Sequence, residues 1–200
     1  MEAQLSLAKR VSSTPPDKVT SVCGMDVSYM GDRGSGAAVV MTYPNLEVVE
    51  VRGVEGTVRV PYMPTLLAFR EMPLLAALRA KLRTSPSVYI LNGHGVFHPR
   101  RLGSAAHFGV VFDVPTIGVA STPLWFEGVQ MTGCRFTVGG RDVAAVVPSH
   151  LGGKVYVSAG HKMTLNLAEE IVRGCIRGHR LPEPLFLADS YSRRALGGSL

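Results

Sequence analysis

Three β-rich runs follow one another near the start of the sequence, with only short turns between them. They cover residues 22–30, 36–43 and 46–52, and the intervening turns contain Gly or Pro-Asn. Short runs of this kind, bounded by turn-forming residues, are typical of strands. The pattern predicts an antiparallel meander and therefore favours a fold built around a sheet.

Helical and strand patterns alternate through the rest of the chain. A leucine-rich helical pattern over residues 65–82 contains Pro73 as a kink or restart, and a strand that ends at Asn92 follows it. A short helix begins at Ser104, and further elements are predicted at residues 116–120 (strand), 143–147 (strand), 154–158 (strand) and 164–178 (helix). Three strands followed by this alternation predict an α/β fold with a central mixed sheet flanked by helices.

Length and composition limit the class of protein. With 200 residues, 46% of them hydrophobic, the chain suits a single domain over residues 1–200, and we expect residues 192–200 to form a flexible tail. Three widely spaced cysteines indicate neither a disulfide framework nor a thiolate zinc site. Without an apolar leader or a spanning run, the chain is predicted to be cytoplasmic and free of the membrane. A net charge of +6 favours a polyanionic partner.

Three carboxylates fall in apolar surroundings. Asp26 and Asp189 lie in runs whose alternation would direct them to a partly buried face, and Glu71 lies on the apolar stripe of its own helix. Burying an ionised carboxylate is unfavourable unless a cation or hydrogen bonds compensate. Each acid alone is explained by a salt bridge or a helix cap, but together they suggest a shared cation.

The stretch "ILNGHGVFHPRRLG" (residues 90–103) combines glycines, two histidines and two arginines directly after an apolar run. A connecting loop needs only turn-forming residues, whereas cationic and imidazole side chains suit anion or metal binding. The sequence therefore predicts a binding site in this loop. His94 and His98 do not indicate zinc, because their spacing aligns two ligands only on a helix.

These stretches together resemble the endonuclease V (deoxyinosine 3′ endonuclease) family. The resemblance rests on "GMDVSY", "RVPYMPTLLAFREMP", "NGHGVFHPRRLGSAAHFGVVFDVPTIGVAST" and "HRLPEPLFLADS", in this order between residues 22 and 189. It implies a ribonuclease H-like fold and a nuclease, dependent on Mg²⁺ or Mn²⁺, that acts as a monomer on inosine-containing DNA or RNA. In this family the phosphodiester one nucleotide 3′ of the deaminated base is cut.

The resemblance also assigns roles to individual residues. It implies catalytic roles for Asp26, Glu71, Asp189 and His98, and a metal site formed by Asp26, Asn92 and Glu71. A wedge that enters the duplex, with the residues around the extruded base, corresponds to Pro61, Tyr62, Met63, Pro64, Gly93, His94 and Gly95. Phosphate contacts are expected from Arg100, Arg101, Ser121 and Lys162.

Two positions depart from the family pattern. Asn92 stands where the family has a metal-binding aspartate, which removes a negative charge from a site that must compete with water for a hard cation. Ser121 stands where the family has a lysine, and Lys162 is a candidate to take its place. Losing one electrostatic donor costs about 10²–10³ in rate in well-studied enzymes. We therefore expect impaired cleavage.

The residues leave several alternatives open. The remaining carboxylates could support cleavage, or the chain could be an inactive paralogue that binds inosine or structured nucleic acid without cutting it. Asn92 could also be an introduced change that traps an uncut complex, although this would not account for Ser121. A metal hydrolase acting on a small molecule would require a closed pocket and no basic groove. The preference for DNA or RNA is not encoded in these motifs.

Overall fold

A mixed β-sheet forms the centre of the protein in the computed structural model, which describes residues 2–58, 60, 63 and 65–197. The described strands are β1 (Ser21–Met30), β2 (Arg33–Thr42), β3 (Val48–Thr57), β4 (Val88–Asn92), β5 (Thr116–Ala120), β6 (Val129–Thr132), β7 (Arg135–Val138), β8 (Arg141–Pro148) and β9 (Lys154–Ala159). The described α-helices are α1 (Glu2–Ala8), α2 (Leu67–Lys81), α3 (Ser104–Phe112), α4 (Leu165–Cys175) and α5 (Glu183–Ala195), and a short 3-10 helix covers His150–Gly152.

The strands are arranged in the order β3-β2-β1-β4-β5-β9-β8-β7-β6. Strands β1, β2 and β3 form an antiparallel meander, which confirms the prediction for the start of the chain. Strand β4 pairs in parallel with both β1 and β5, and β9 then pairs antiparallel to β5. The sheet is therefore mixed, and the carboxyl ends of β4 and β5 lie side by side at one edge.

Helices cover both faces of the sheet because alternate strand residues point in opposite directions. On one face, Leu75 and Leu78 of α2 and Phe108 of α3 pack against a cluster that includes Met25 and Leu91. The opposite face is covered by α4 and α5, whose contributions include Ala168, Ile171, Val172, Leu185 and Ala188. This arrangement of helices around a mixed sheet confirms the predicted fold class.

Several elements differ from the predictions. Helix α1, the β6–β7 hairpin and helix α5 were not predicted, and Asp189 lies on a helix rather than in an alternating strand. The expected tail over residues 192–200 is also wrong at its start, because Ser192 is fully buried within α5. Leu185, Ala188 and Ser192 recur every three or four residues, which is the spacing that places one helix face on the sheet. Residues 198–200 lie outside the described residues.

Within the part of the chain that the structure describes, no helix has both the length and the apolar character required to cross a membrane.

Candidate active site

A cavity of about 450 Å³ lies where the ends of β4 and β5 meet helices α2 and α3. Its volume is within the range of about 300–1,000 Å³ that is typical of ligand pockets. The cavity brings together residues that are far apart in the sequence. The predicted site residues that line it are Asp26, Glu71, Asn92, Gly93, His94, His98 and Ser121.

Asp26 and Asn92 are neighbours because β1 and β4 pair in parallel, with Met25 beside Leu91. The Asn92 Nδ2 group donates a hydrogen bond of 2.8 Å to Asp26 Oδ1. The hydroxyl of Ser192, on α5, lies 2.8 Å from Asp26 Oδ2. Burial raises the pKa of Asp26 above its ordinary range, and these two hydrogen bonds act against that rise.

Glu71 approaches the same cavity from α2, where it is only 8% exposed. Burial raises the pKa of Glu71 to about 8, and the nearby Asp26 carboxylate adds to the rise. Ser104 and Arg70 favour the charged form but do not compensate fully. The site therefore holds two buried carboxylates whose charges repel each other, an arrangement that a cation would stabilise.

The donor set fits a hard divalent ion. Among the described residues, no three His, Cys, Asp or Glu side chains converge to hold a metal by themselves. Mg²⁺ is nevertheless commonly bound by one or two carboxylates with water completing its shell, and Asp26 and Glu71 meet that need. Asn92 directs its Nδ2 donor, not its amide oxygen, at Asp26 Oδ1, so one oxygen of that carboxylate is already hydrogen-bonded.

The loop that follows β4 is held closely against its neighbours. Gly93 has φ +151°, a conformation that favours glycine, and it lines the cavity. Gly95 does not line the cavity, and a Cβ atom there would lie 2.0 Å from the carbonyl oxygen of Ala159. The side of Gly95 on which a Cβ would project is filled by the backbone of Ala159 in β9, so glycine is required there by close packing, and its predicted approach to the extruded base stays a prediction.

Burial favours the neutral form of the two loop histidines. Burial lowers the pKa of His94 and of His98 to about 4 in each case. His98 Nδ1 accepts a hydrogen bond from the Arg100 backbone N–H, and its Nε2 lies 3.1 Å from the carbonyl oxygen of Thr65. His98 thus contacts the cavity while both of its ring nitrogens are used within the protein.

Arg100 is also engaged inside the protein, although the sequence predicted a phosphate contact. Its guanidinium bonds to Gln4 Oε1 (2.5 Å), Thr65 Oγ1 (2.6 Å) and the Thr65 carbonyl oxygen (2.9 Å). Thr65 has φ +65°, which is uncommon for a β-branched residue. Arg100 therefore holds Thr65, the residue that directly follows the predicted wedge. Pro61, Tyr62 and Pro64 lie outside the described residues, and Met63 is 43% exposed.

Two further predicted residues, Arg101 and Asp189, lie away from the cavity. Arg101 is exposed and lines a different depression together with Arg141 and Thr164. Asp189 does not line the cavity, and its carboxylate is paired with Arg193 Nε at 2.8 Å. The Asp189 charge nevertheless contributes to raising the pKa of Asp26, so the two acids are near each other.

Lys162 cannot replace the missing lysine in this structure. Its Nζ atom binds Asp113 Oδ2 at 2.7 Å, and the preceding residue, His161, accepts a hydrogen bond from Thr116 at the first residue of β5. Ser121 follows the last residue of β5, roughly 16 Å further along the strand. The prediction that Lys162 stands in for the lysine is therefore wrong.

A different cation lies beside Ser121. Arg180, in the segment between α4 and α5, donates from its guanidinium to the Ser121 carbonyl oxygen at 2.6 Å. Among the described residues, Arg180 has no carboxylate partner. Sequence reasoning missed both Arg180 and Ser192, because the contacts of Arg180 with Ser121 and of Ser192 with Asp26 span 59 and 166 residues of sequence.

Comparison with known proteins shows which family of proteins this chain is similar to. The family model described as endonuclease V matches residues 4–190. The endonuclease V of Thermofilum pendens is 42% identical over 208 residues, which cover 99% of this chain and 88% of that protein.

Solved structures of similar proteins share the fold. The endonuclease V of Streptomyces avermitilis has a TM-score of 0.88 at 36% identity, covering 98% of this chain and 91% of that one. The endonuclease V of Ciona intestinalis, solved in complex with a 24mer DNA containing an inosine followed by a ribo-adenosine, has a TM-score of 0.88 at 30% identity. That match covers 98% of this chain and 95% of the Ciona chain.

Proposed function

Since the chain belongs to the endonuclease V family, we propose that it binds inosine-containing DNA or RNA and cleaves it at a reduced rate with a divalent metal ion. The scissile bond is the phosphodiester one nucleotide 3′ of the inosine. The observation that carries the proposal is the cavity that gathers Asp26, Glu71 and Asn92 beside Gly93 and Ser121.

The carboxylates support the metal-dependent part of the proposal. A bound Mg²⁺ or Mn²⁺ would stabilise negative charge that develops on the phosphate. Asp26 and Glu71 would hold the ion, and Ser192 would keep Asp26 in position through its hydrogen bond. Glu71, with its pKa raised to about 8, can also hold or release a proton near neutral pH before a cation binds.

The reduced rate follows from Asn92 and Ser121. The Asn92 amide is neutral and directs Nδ2 toward Asp26, so the site has less negative charge and one carboxylate oxygen already engaged. Ser121 has no cationic side chain, and Arg180 contacts its backbone from the rim of the cavity. The neutral Asn92 amide weakens metal binding, and Ser121 leaves the phosphate without a cationic side chain from this position.

The same hydrogen bond favours a second candidate, a binder that recognises inosine-containing nucleic acid without cutting it. If the Asn92 amide keeps Asp26 Oδ1 engaged, a metal ion has only part of its ligand set available. Recognition would then depend on the cavity and the wedge segment, neither of which requires a metal charge.

A nicking assay on end-labelled substrates separates the two candidates. Inosine-containing DNA and RNA, single- and double-stranded, would be incubated with Mg²⁺ or Mn²⁺, and binding would be measured on the same substrates. The variants are Asn92→Asp, Ser121→Lys and the double substitution, with Asp26→Ala as the inactive control. Slow nicking by the unmodified chain that Asp26→Ala abolishes supports the nuclease.

Two other outcomes would change the conclusion. Selective inosine binding without nicking, together with nicking by the double variant, would identify the binder. Absence of any preference for inosine-containing substrates in binding and in nicking would overturn the proposed function.

We include in this proposal that the protein acts as a monomer in a reducing, cytoplasmic environment. Cys23, Cys134 and Cys175 are all free thiols, and two of them are buried. Free thiols are normal where disulfides do not persist. Light scattering at several protein concentrations, with and without nucleic acid, would test whether the protein is a monomer.

A further inference from the structure

Trp125 is unusually exposed for its size. It is 60% exposed to solvent, more than any other large hydrophobic residue in the described chain, and it is the only tryptophan in the sequence. Single exposed apolar side chains are normal on protein surfaces, so the position of Trp125 beside the cavity, rather than its exposure alone, makes it a candidate contact residue. A tryptophan offers a flat aromatic face to a partner.

The ring lies at the rim of the candidate active site. It belongs to the segment between β5 and β6, and Ser121, Thr122 and Leu124 of that segment line the cavity. Trp125 is the next residue after Leu124. A partner that occupies the cavity and extends over this rim would therefore meet the ring.

The ring is also held in place rather than free. It packs edge-on against Phe136, with ring centroids 5.4 Å apart and planes at 65°. Phe136 is fully buried, and the adjacent Phe126 packs against the buried Phe97 at 5.9 Å. Pro123, two residues earlier, restricts the backbone of the segment. Little conformational freedom would be lost when a second ring stacked on Trp125.

We propose that Trp125 is a stacking platform for a nucleobase that neighbours the one held in the cavity. The inference rests on the proposed function, since it assumes that nucleic acid enters the cavity. A base is the occupant that fits, because aromatic side chains stack with the face of any base, and Arg180 at Ser121 supplies a cation for the adjoining phosphate. The net charge of +6 also favours a polyanion over a second copy of this chain.

The single tryptophan makes the stacking directly observable. Emission would be recorded as an inosine-containing duplex is added in EDTA, which prevents cleavage, while binding is followed independently by the anisotropy of a dye on the oligonucleotide. We expect the emission to be quenched as the duplex binds, and collisional quenching by acrylamide to decrease. Binding by anisotropy with unchanged emission and unchanged acrylamide quenching would overturn the inference.

Substitutions give a second, independent measurement. Trp125→Ala should weaken binding roughly 5- to 150-fold, the range found for loss of one base–aromatic stack. Trp125→Phe keeps a ring and should retain most of the affinity. Met131→Ala removes another exposed hydrophobic side chain, on β6, and should leave binding unchanged. Circular dichroism would verify that each variant is folded.

The outcomes separate the inference from the proposed function. Normal binding by folded Trp125→Ala overturns the stacking role only, whereas absence of any nucleic-acid binding by the unmodified chain overturns both. A second copy of the chain would be identified as the occupant if the emission changed with protein concentration in the absence of nucleic acid and did not change when nucleic acid was added. That result would overturn the inference.

Discussion

The Asn92 Nδ2 group donates a 2.8 Å hydrogen bond to Asp26 Oδ1 in the wall of the cavity. An aspartate at position 92 would instead place two carboxylates side by side, because β1 and β4 pair in parallel with Met25 beside Leu91. The amide therefore stabilises Asp26 in the absence of a cation and reduces the advantage of binding one. This relationship between two neighbouring strands governs most of the expected behaviour of the site.

Asn92→Asp should lower the stability of the metal-free protein and raise its affinity for a divalent metal ion. Without a cation, the change removes a hydrogen bond and adds a charge beside Asp26 and Glu71, so thermal stability in EDTA should fall. Mn²⁺ should bind at least about tenfold more tightly, since even outer-shell changes alter metal affinity by about 10–100-fold. Calorimetric titration and thermal unfolding measure both effects.

Asn92→Ala is the control for that substitution, because it removes the hydrogen bond without adding charge. If Mn²⁺ binds both variants with the same affinity, the missing charge is not what limits the site.

Glu71 should make the unfolding free energy depend on pH. Its pKa is raised from 4.5 to about 8 in the folded protein, so between these values the folded state holds a proton that the unfolded state has lost. The contribution of Glu71 to stability is therefore greatest below about pH 4.5 and falls as the pH rises toward 8, by at most about 1.4 kcal/mol per pH unit. Glu71→Gln should remove this part of the fall.

The comparison is made by denaturant unfolding in EDTA at several values between pH 5 and 8.5. Glu170→Gln, on the exposed side of α4, is the matched control and should keep the pH dependence of the unmodified chain. An identical pH dependence in Glu71→Gln would show that Glu71 is not the group responsible.

Arg100 and Arg101 are adjacent in sequence but should have different effects. Arg100→Ala loses the bonds to Gln4 and Thr65, which should lower the unfolding free energy by about 1.5–3 kcal/mol, the usual value for hydrogen bonds to charged groups. Because Thr65 directly follows the predicted wedge segment, the preference for an inosine-containing duplex over an undamaged one should also decrease.

Arg101→Ala provides the contrast. This exposed cation should contribute about equally to the affinity for the inosine-containing and the undamaged duplex. Its loss should reduce the salt dependence of binding by about one charge. Equal loss of affinity for both duplexes in Arg100→Ala would contradict the anchoring role. Competition binding at two salt concentrations measures the affinities for both duplexes and their salt dependence, and denaturant unfolding measures the change in stability.

Arg180 should support phosphate binding at the rim of the cavity. Arg180→Gln is expected to weaken binding of inosine-containing nucleic acid and to reduce its salt dependence by about one charge. Arg177→Gln is a matched control, because Arg177 is likewise exposed and bonded to backbone carbonyls, those of Gly174 and Ile176. Both changes remove one positive charge from the protein.

A double-substitution test makes the role of Arg180 specific to Ser121. Adding Ser121→Lys to Arg180→Gln should restore much of the lost affinity, whereas adding it to Arg177→Gln should produce only the effect of Ser121→Lys alone. Equal effects of Arg180→Gln and Arg177→Gln would mean that only net charge matters.

Local patterns in the sequence were sufficient for part of this description. The β-rich runs predicted the meander, and the burial of Asp26 and Glu71 followed from their positions among apolar residues. The endonuclease V family and its ribonuclease H-like fold, predicted from four ordered stretches, are confirmed by the family match and by the solved structures. Such features depend on residues close in sequence, where periodicity and turn chemistry act directly.

Contacts between distant residues were decided only by the tertiary structure. Arg100 carries the charge of a phosphate ligand, yet its guanidinium is used by Gln4 and Thr65. Lys162 has the chemistry of the missing lysine but lies at the opposite end of β5, while Arg180 reaches Ser121. The sequence determined which chemical groups this protein has. Which of them meet was determined by strand pairing and helix packing, because those set distances that sequence separation does not encode.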